Sequence, residues 1–145
     1  MEQKNQTPRK RTFIVINYTF LVLTLVFFYL GKNTNWPLTI SGLEIIFLAL
    51  SIFSFRRAFI TTGYWRLVHS SKKSLDEREM KVVLNAIKNS YVVFTIVTLL
   101  IIYGLALAGQ VYLDVVIAAG LLYLAHTLPA AIAGWHENNF VMEYE

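Results

Sequence analysis

Four stretches of this chain are nearly free of charge: Phe13 to Leu30, Leu38 to Phe55, Tyr91 to Gly109 and Leu113 to Gly134. Each holds about 18–22 residues, within the roughly 17–25 that a helix needs to cross a ~30 Å hydrocarbon core. None alternates apolar and polar side chains with the period of a barrel strand. Inside lipid every backbone N–H and C=O needs an internal partner, so runs of this length read as helices. The pattern predicts an all-α polytopic membrane protein, an antiparallel bundle of four transmembrane helices forming one domain over residues 1–145. The short Gln110–Tyr112 turn makes the last two spans a tight hairpin, and an amphipathic connector, residues 56–90, joins the two pairs.

The charges that interrupt this pattern set its orientation. Lys4, Arg9, Lys10 and Arg11 precede the first span; Arg56, Arg57, Arg66, Lys72, Lys73, Arg78, Lys81 and Lys88 fill the connector. Only Lys32, of thirteen Lys and Arg, falls on the other side. Such asymmetry places the N-terminus, the connector and the C-terminus in the cytoplasm, and the protein in the cell membrane. Trp36, Tyr112 and Trp135 lie at predicted span ends, where aromatic belts form. The first span is too long for a signal-peptide core, and Gly31-Lys32-Asn33-Thr34-Asn35 offers no small-x-small cleavage site. It reads as an anchor.

Composition agrees: 56% of residues are hydrophobic and 15% charged, against about 45–50% and 25% in soluble domains. The absence of cysteine excludes disulfides, thiolate metal sites and thiol nucleophiles. A net charge of +4 raises the question of nucleic acid, but the cations flank apolar runs. Their expected partner is the lipid bilayer, not nucleic acid.

The connector is the most particular segment. Its first part, Ala58 to His69, reads either as an interfacial segment lying apolar side down or as a continuation of the second helix. Its second part opens with Ser74-Leu75-Asp76-Glu77, spaced as a capping box with Ser74 at the N-cap and Glu77 reaching back. A helix is then predicted from near Leu75, unbroken into the third span, with acidic residues at the positive end of its dipole. Met80, Val83, Leu84, Ile87 and Tyr91 recur at helical spacing and form an apolar face. That face packs within the chain or docks a partner.

Tyr64-Trp65-Arg66-Leu67-Val68-His69, then Leu75-Asp76-Glu77-Arg78-Glu79 and Ser90-Tyr91, resembles a group of uncharacterised bacterial integral membrane proteins. These carry Trp-x-x-x-His and Leu-Asp-Glu-Arg-Glu elements between two pairs of helices. The resemblance implies a shared topology and no known activity.

Ionisable groups within spans cost about 2.5–3.5 kcal/mol at the bilayer centre, so each needs a reason. Glu44 lies about two turns into the second span, Asp114 at the outer start of the fourth, and His126 near its middle, three residues before Pro129. Pro129 withholds a hydrogen bond from Ala125 and predicts a kink beside His126. Asn17, Thr19, Thr95 and Thr98 add polar atoms. These groups either line a hydrated proton or ion path or hydrogen-bond between helices. Helix rise separates Glu44 from His126 by roughly 10 Å in depth, too far for a direct pair. Asp114 is shallow enough to reach interfacial water, and Glu44 is the first candidate for function. Gly104 with Ala108, and Ala130 with Gly134, are small-xxx-small pairs that permit close helix approach.

No nucleotide-binding loop, HExxH or G-x-S-x-G occurs in the sequence. His69, His126 and His136 are too scattered in depth for one metal site, and His136-Glu137 reads as a solvated tail. No catalytic residues, metal or cofactor are assigned. The leading expectation is a non-enzymatic accessory or regulatory subunit, a homo-oligomer or bound to a membrane protein partner through its connector. The alternative is a small oligomeric transporter or channel for protons, ions or a small solute, lined by Glu44 and His126. A membrane enzyme comes third, for want of a site.

Overall fold

The computed structural model describes residues 7–71, 75–110 and 112–141, the last six and the first four of these by backbone alone. Its described residues are helical, without strands. Four helices are long and apolar enough to cross a membrane: Arg11–Asn33, Leu38–Ile60, Glu77–Leu107 and Val115–Trp135. The chain falls into two compact units, Met1–Thr62 and Gly63–Glu145.

The first unit is a helical hairpin of α1 (Thr7–Asn33) and α2 (Leu38–Phe55), extended by a π-helical turn at Arg56–Ile60. α1 stops where Asn35 and Trp36 both take left-handed backbone angles, φ 56° and 55°. Pro37, fixed near φ −59°, then leads into α2. The Trp36 N–H donates to the Gly31 carbonyl at 2.9 Å, and the indole lies so close that a Cβ on Gly31 would meet it at 2.6 Å. Phe47 of α2 packs against Phe27 and Phe20 of α1, with centroids 5.1 and 6.3 Å apart. The π turn buries Ala58 and Phe59 and packs against α1.

The second unit contains α3 (Tyr64–His69), α4 (Glu77–Leu107) and α5 (Val115–Val141). α4 and α5 lie side by side, and α3 packs on α5. Thirty-one residues make α4 about 46 Å long at ~1.5 Å per residue. It is the single helix expected to run from the connector into the third span. α5 continues through Pro129 as one helix. Its buried positions are small or β-branched: Thr127, Ala130, Ala131, Ala133 and Gly134, with Leu128.

Little of the apolar surface is used inside the protein. No more than 28% of the residues in the most apolar window of any of the four helices are buried, and in α4 the share is 6%. Leu100, Tyr103 and Leu107 on α4, and Ile45, Ile52 and Phe53 on α2, are exposed. Water would penalise that surface heavily, whereas hydrocarbon tails would not.

Candidate functional site

The polar candidates divide between the units. Glu44 sits in the second turn of α2, half-buried, and makes no hydrogen bond or ion pair among the described residues. His126 and Asp114 belong to α5 and the residues that open it. Asp114 is the N-cap: its Oδ1 accepts from the Val116 N–H at 2.9 Å, and its carbonyl accepts from Ala118 at 3.0 Å. Its place at the start of the span is thus that of a helix-terminating acceptor. The exposed His126 ring donates through Nδ1–H to the Leu122 carbonyl at 3.1 Å, which leaves Nε2 as acceptor in the neutral ring. Thr127 donates to Tyr123 at 2.9 Å. Both bonds fall on carbonyls earlier than that of Ala125, the one Pro129 leaves without its usual donor.

A polar cluster that sequence reasoning only half found lies in the first unit. Asn17, fully buried on α1, donates through Nδ2 to the Ser51 carbonyl at 2.9 Å and to Ser54 Oγ at 3.1 Å. Ser54 Oγ in turn donates to the Ser51 carbonyl at 2.9 Å. Ser51 and Ser54, three residues apart on one face of α2, had no signal of their own. Counting equal distances outward from the α1–α2 loop pairs Asn17 with Ser54, and that count was the available clue. Thr19 and Thr95 donate to carbonyls four residues back, at 2.9 and 2.8 Å; Thr98 Oγ1 is buried without a hydrogen-bond partner among the described residues.

The connector resolves into parts of different kinds. Arg56–Ile60 continues α2, and the chain breaks at Gly63, φ +81°, a value L-residues rarely adopt. α3 follows as a separate helix, so Ala58 to His69 is not one continuation of α2. Within α3, Trp65 and His69 stack one turn apart, centroids 4.0 Å and planes 23° apart, and His69 Nδ1–H donates to the Trp65 carbonyl at 2.9 Å. That contact accounts for the Trp-x-x-x-His spacing as a helical i, i+4 pair. Tyr64 is buried beneath α5, its ring filling the space where a Cβ on Gly134 would come within 2.6 Å.

The cap of α4 differs in register from the expected box. Asp76, not Ser74, is the N-cap: the Glu79 N–H donates to Asp76 Oδ1 at 2.6 Å and the Asp76 N–H to Glu79 Oε2 at 3.2 Å. Ser74 lies outside the described residues. The sequence holds two overlapping boxes, and Asp caps as well as Ser while adding a charge that favours the helix N-terminus. The predicted apolar face also divides. Val83 is buried and Met80 half-buried, but Leu84, Ile87 and Tyr91 are exposed; Ala86 and Ser90 are buried instead. α4 packs mainly against α5 and meets α3 only lightly. Of the two small-residue pairs, Ala130 and Gly134 are buried, whereas Gly104 has nothing within 4 Å of a Cβ and Ala108 is exposed.

Charge is concentrated at one end of the first unit. Arg56 and Arg57 are exposed on the π turn, and the Arg57 guanidinium lies over the Phe53 ring, 5.7 Å from its centroid. At the opposite end Lys32 lies over Tyr29 at 5.8 Å. Among the described residues no group of three or more His, Cys, Asp or Glu is placed to hold a metal ion. Compared with protein-family models, with curated proteins and with solved structures, the chain matches none.

Proposed function

We propose that the chain is a multi-pass protein of the cell membrane, with both termini and the connector cytoplasmic. In this reading it acts as a non-enzymatic accessory or regulatory subunit, self-associating or bound to another membrane protein. The observation carrying it is the free side of α4. Leu84, Ile87 and Tyr91 are 53, 45 and 72% exposed, while Val83, Ala86 and Ser90 on the adjoining stripe are buried. A span uses about 20 residues, so the 31 residues of α4 leave the turns bearing Leu84 and Ile87 at or beyond the cytoplasmic face. Apolar stripes outside hydrocarbon are characteristically covered by protein.

Photocrosslinkers placed at Leu84 and Ile87 in intact membranes test this, and intermolecular products are expected from both. A probe at the buried Val83 serves as the internal control, with products confined to the same chain. Finding only intramolecular products at Leu84 and Ile87 would remove the docking role.

One observation favours the transporter alternative: Glu44, a carboxylate in an apolar helix with no bond among the described residues. Such groups mark ion or solute paths in many membrane proteins. Proton or solute flux in liposomes, parent against Glu44→Gln and His126→Ala, decides it. Flux absent from the parent, or unchanged in both variants, rejects the path.

A further inference from the structure

Along α2, exposure picks out one stripe. From Leu43 to Ser51 only Glu44, Phe47 and Ser51 are withdrawn from the surface, at the i, i+3 and i+7 spacing that puts them on one side of a helix. Phe47 and Ser51 both meet α1, the ring against Phe20 and Phe27 and the carbonyl through the Asn17 amide. Glu44 therefore lies on the side of α2 that faces α1, in the seam of the hairpin, and not among its exposed apolar neighbours Leu43, Ile45, Ile46 and Leu48.

That seam carries aromatic faces on either side of the carboxylate. Phe47 stands between Phe20 and Phe27, with centroids 6.3 and 5.1 Å away. In an antiparallel pair both helices advance equally from such a contact, so Glu44, one turn nearer the loop, comes level with Phe27 and Phe28. One turn further out the Trp36 indole covers Gly31 and meets the Phe28 ring at 5.3 Å. Helical side chains lean toward their own N-terminus, which carries the Glu44 carboxylate from the Phe27–Phe47 pair toward Trp36. Half-burial leaves it reachable. Lys32, the one cation between residues 12 and 55, lies over the Tyr29 ring at 5.8 Å, so an ammonium group already rests on an aromatic face at this end.

A carboxylate alone attracts any cation, and the rings decide which kind gains most. A small inorganic ion holds its water, whereas an alkylated ammonium can lay its charge directly on a ring face. We propose that Glu44, with Phe27, Phe47 and Trp36 around it, binds an organic ammonium group, carried by a free amine or by a lipid headgroup. The site rests on the transporter alternative only in using the same carboxylate, and binding is read without flux.

The full chain in a maltoside detergent is titrated with benzyltrimethylammonium by isothermal calorimetry. The parent is expected to bind it, and E44Q, of nearly the same shape, to bind at least about tenfold more weakly at an unchanged thermal midpoint. F27L and F47L keep apolar bulk without a ring, and each is expected to weaken binding about two- to fivefold. Choline chloride competes, and sodium chloride at equal ionic strength does not. Displacement of the probe by short-chain phosphatidylcholine, and not by phosphatidylglycerol, assigns the ammonium to a lipid headgroup. Displacement by choline and by neither lipid assigns it to a free amine. No binding by the parent, parent-level binding in E44Q or in both F27L and F47L, or sodium competing as well as choline would overturn the site. Liposome flux scores the path separately: binding without flux keeps the site and rejects the path, and Glu44-dependent flux without binding rejects the site alone.

Discussion

Asn17 shows how a polar side chain comes to belong in an apolar helix. Its Nδ2 holds a backbone carbonyl and a serine hydroxyl of α2 together, so the two helices are joined by bonds that lipid cannot replace. Asn17→Ala is expected to lower the stability of the detergent-solubilised protein by about 1 kcal/mol, read from its thermal midpoint. The loss is no larger because Ser54 keeps its bond to the Ser51 carbonyl. Glycines supply a sharper contrast. A Cβ at Gly134 would strike the Tyr64 ring at 2.6 Å, and Tyr64 is only 4% exposed, with no room to withdraw. A Cβ at Gly31 meets Trp36 at the same distance, but Trp36 is 42% exposed on a loop and can swing away. Gly134→Ala should therefore cost about 1–3 kcal/mol, and Gly31→Ala clearly less, in matched unfolding measurements. Equal costs would mean that Tyr64 is not held as tightly as its burial implies.

Among the elements, α4 is long enough that its cap governs only its first turns. Asp76→Ala removes one half of a reciprocal pair and is expected to cost about 1 kcal/mol. Amide hydrogen exchange should speed up at Glu77 to Lys81 and stay unchanged beyond Val83, where burial against the rest of the unit takes over. α3 poses the opposite problem. Six residues cannot sustain an isolated helix in water, since nucleation alone is unfavourable. Its Trp65–His69 stack helps locally, but the buried Tyr64 ties it to α5. The π turn is likewise a packing feature. Its wider turn is secured where the Thr61 N–H and Oγ both reach the Arg56 carbonyl, at 2.9 and 3.1 Å.

At the scale of the whole molecule, the boundary after Thr62 leaves each unit with both members of a helix pair and its own internal contacts. Each pair also satisfies its backbone bonds within its own helices, which is the condition for residing in lipid. Residues 1–62 and 63–145, expressed separately, are therefore expected to insert as independent hairpins. Resistance of each fragment to alkaline carbonate extraction checks this, and release of either would show that its helices depend on the other half to remain in the bilayer. The exposed apolar side chains of both units, Leu43, Ile46 and Leu48 on α2 or Val92, Ile96 and Leu99 on α4, are what hydrocarbon would solvate.

The four helices, their near-boundaries and the continuous α4 were legible in the sequence, because hydropathy, charge and capping act through neighbours along the chain. The stretch from Leu38 to Phe55 ends in a helix-to-π change at Arg56, where the charges begin. What depends on a second element was not legible. Both Val83 and Leu84 fit an apolar periodicity, and only tertiary packing put one inside and left the other out. Two capping boxes overlapped at Ser74 and Asp76, and local spacing alone could not choose between them. Ser51 and Ser54 look like ordinary small residues until α1 brings Asn17 beside them. Along one helix a side chain's neighbours follow from a fixed pitch, but across two they follow from packing, which no periodicity encodes.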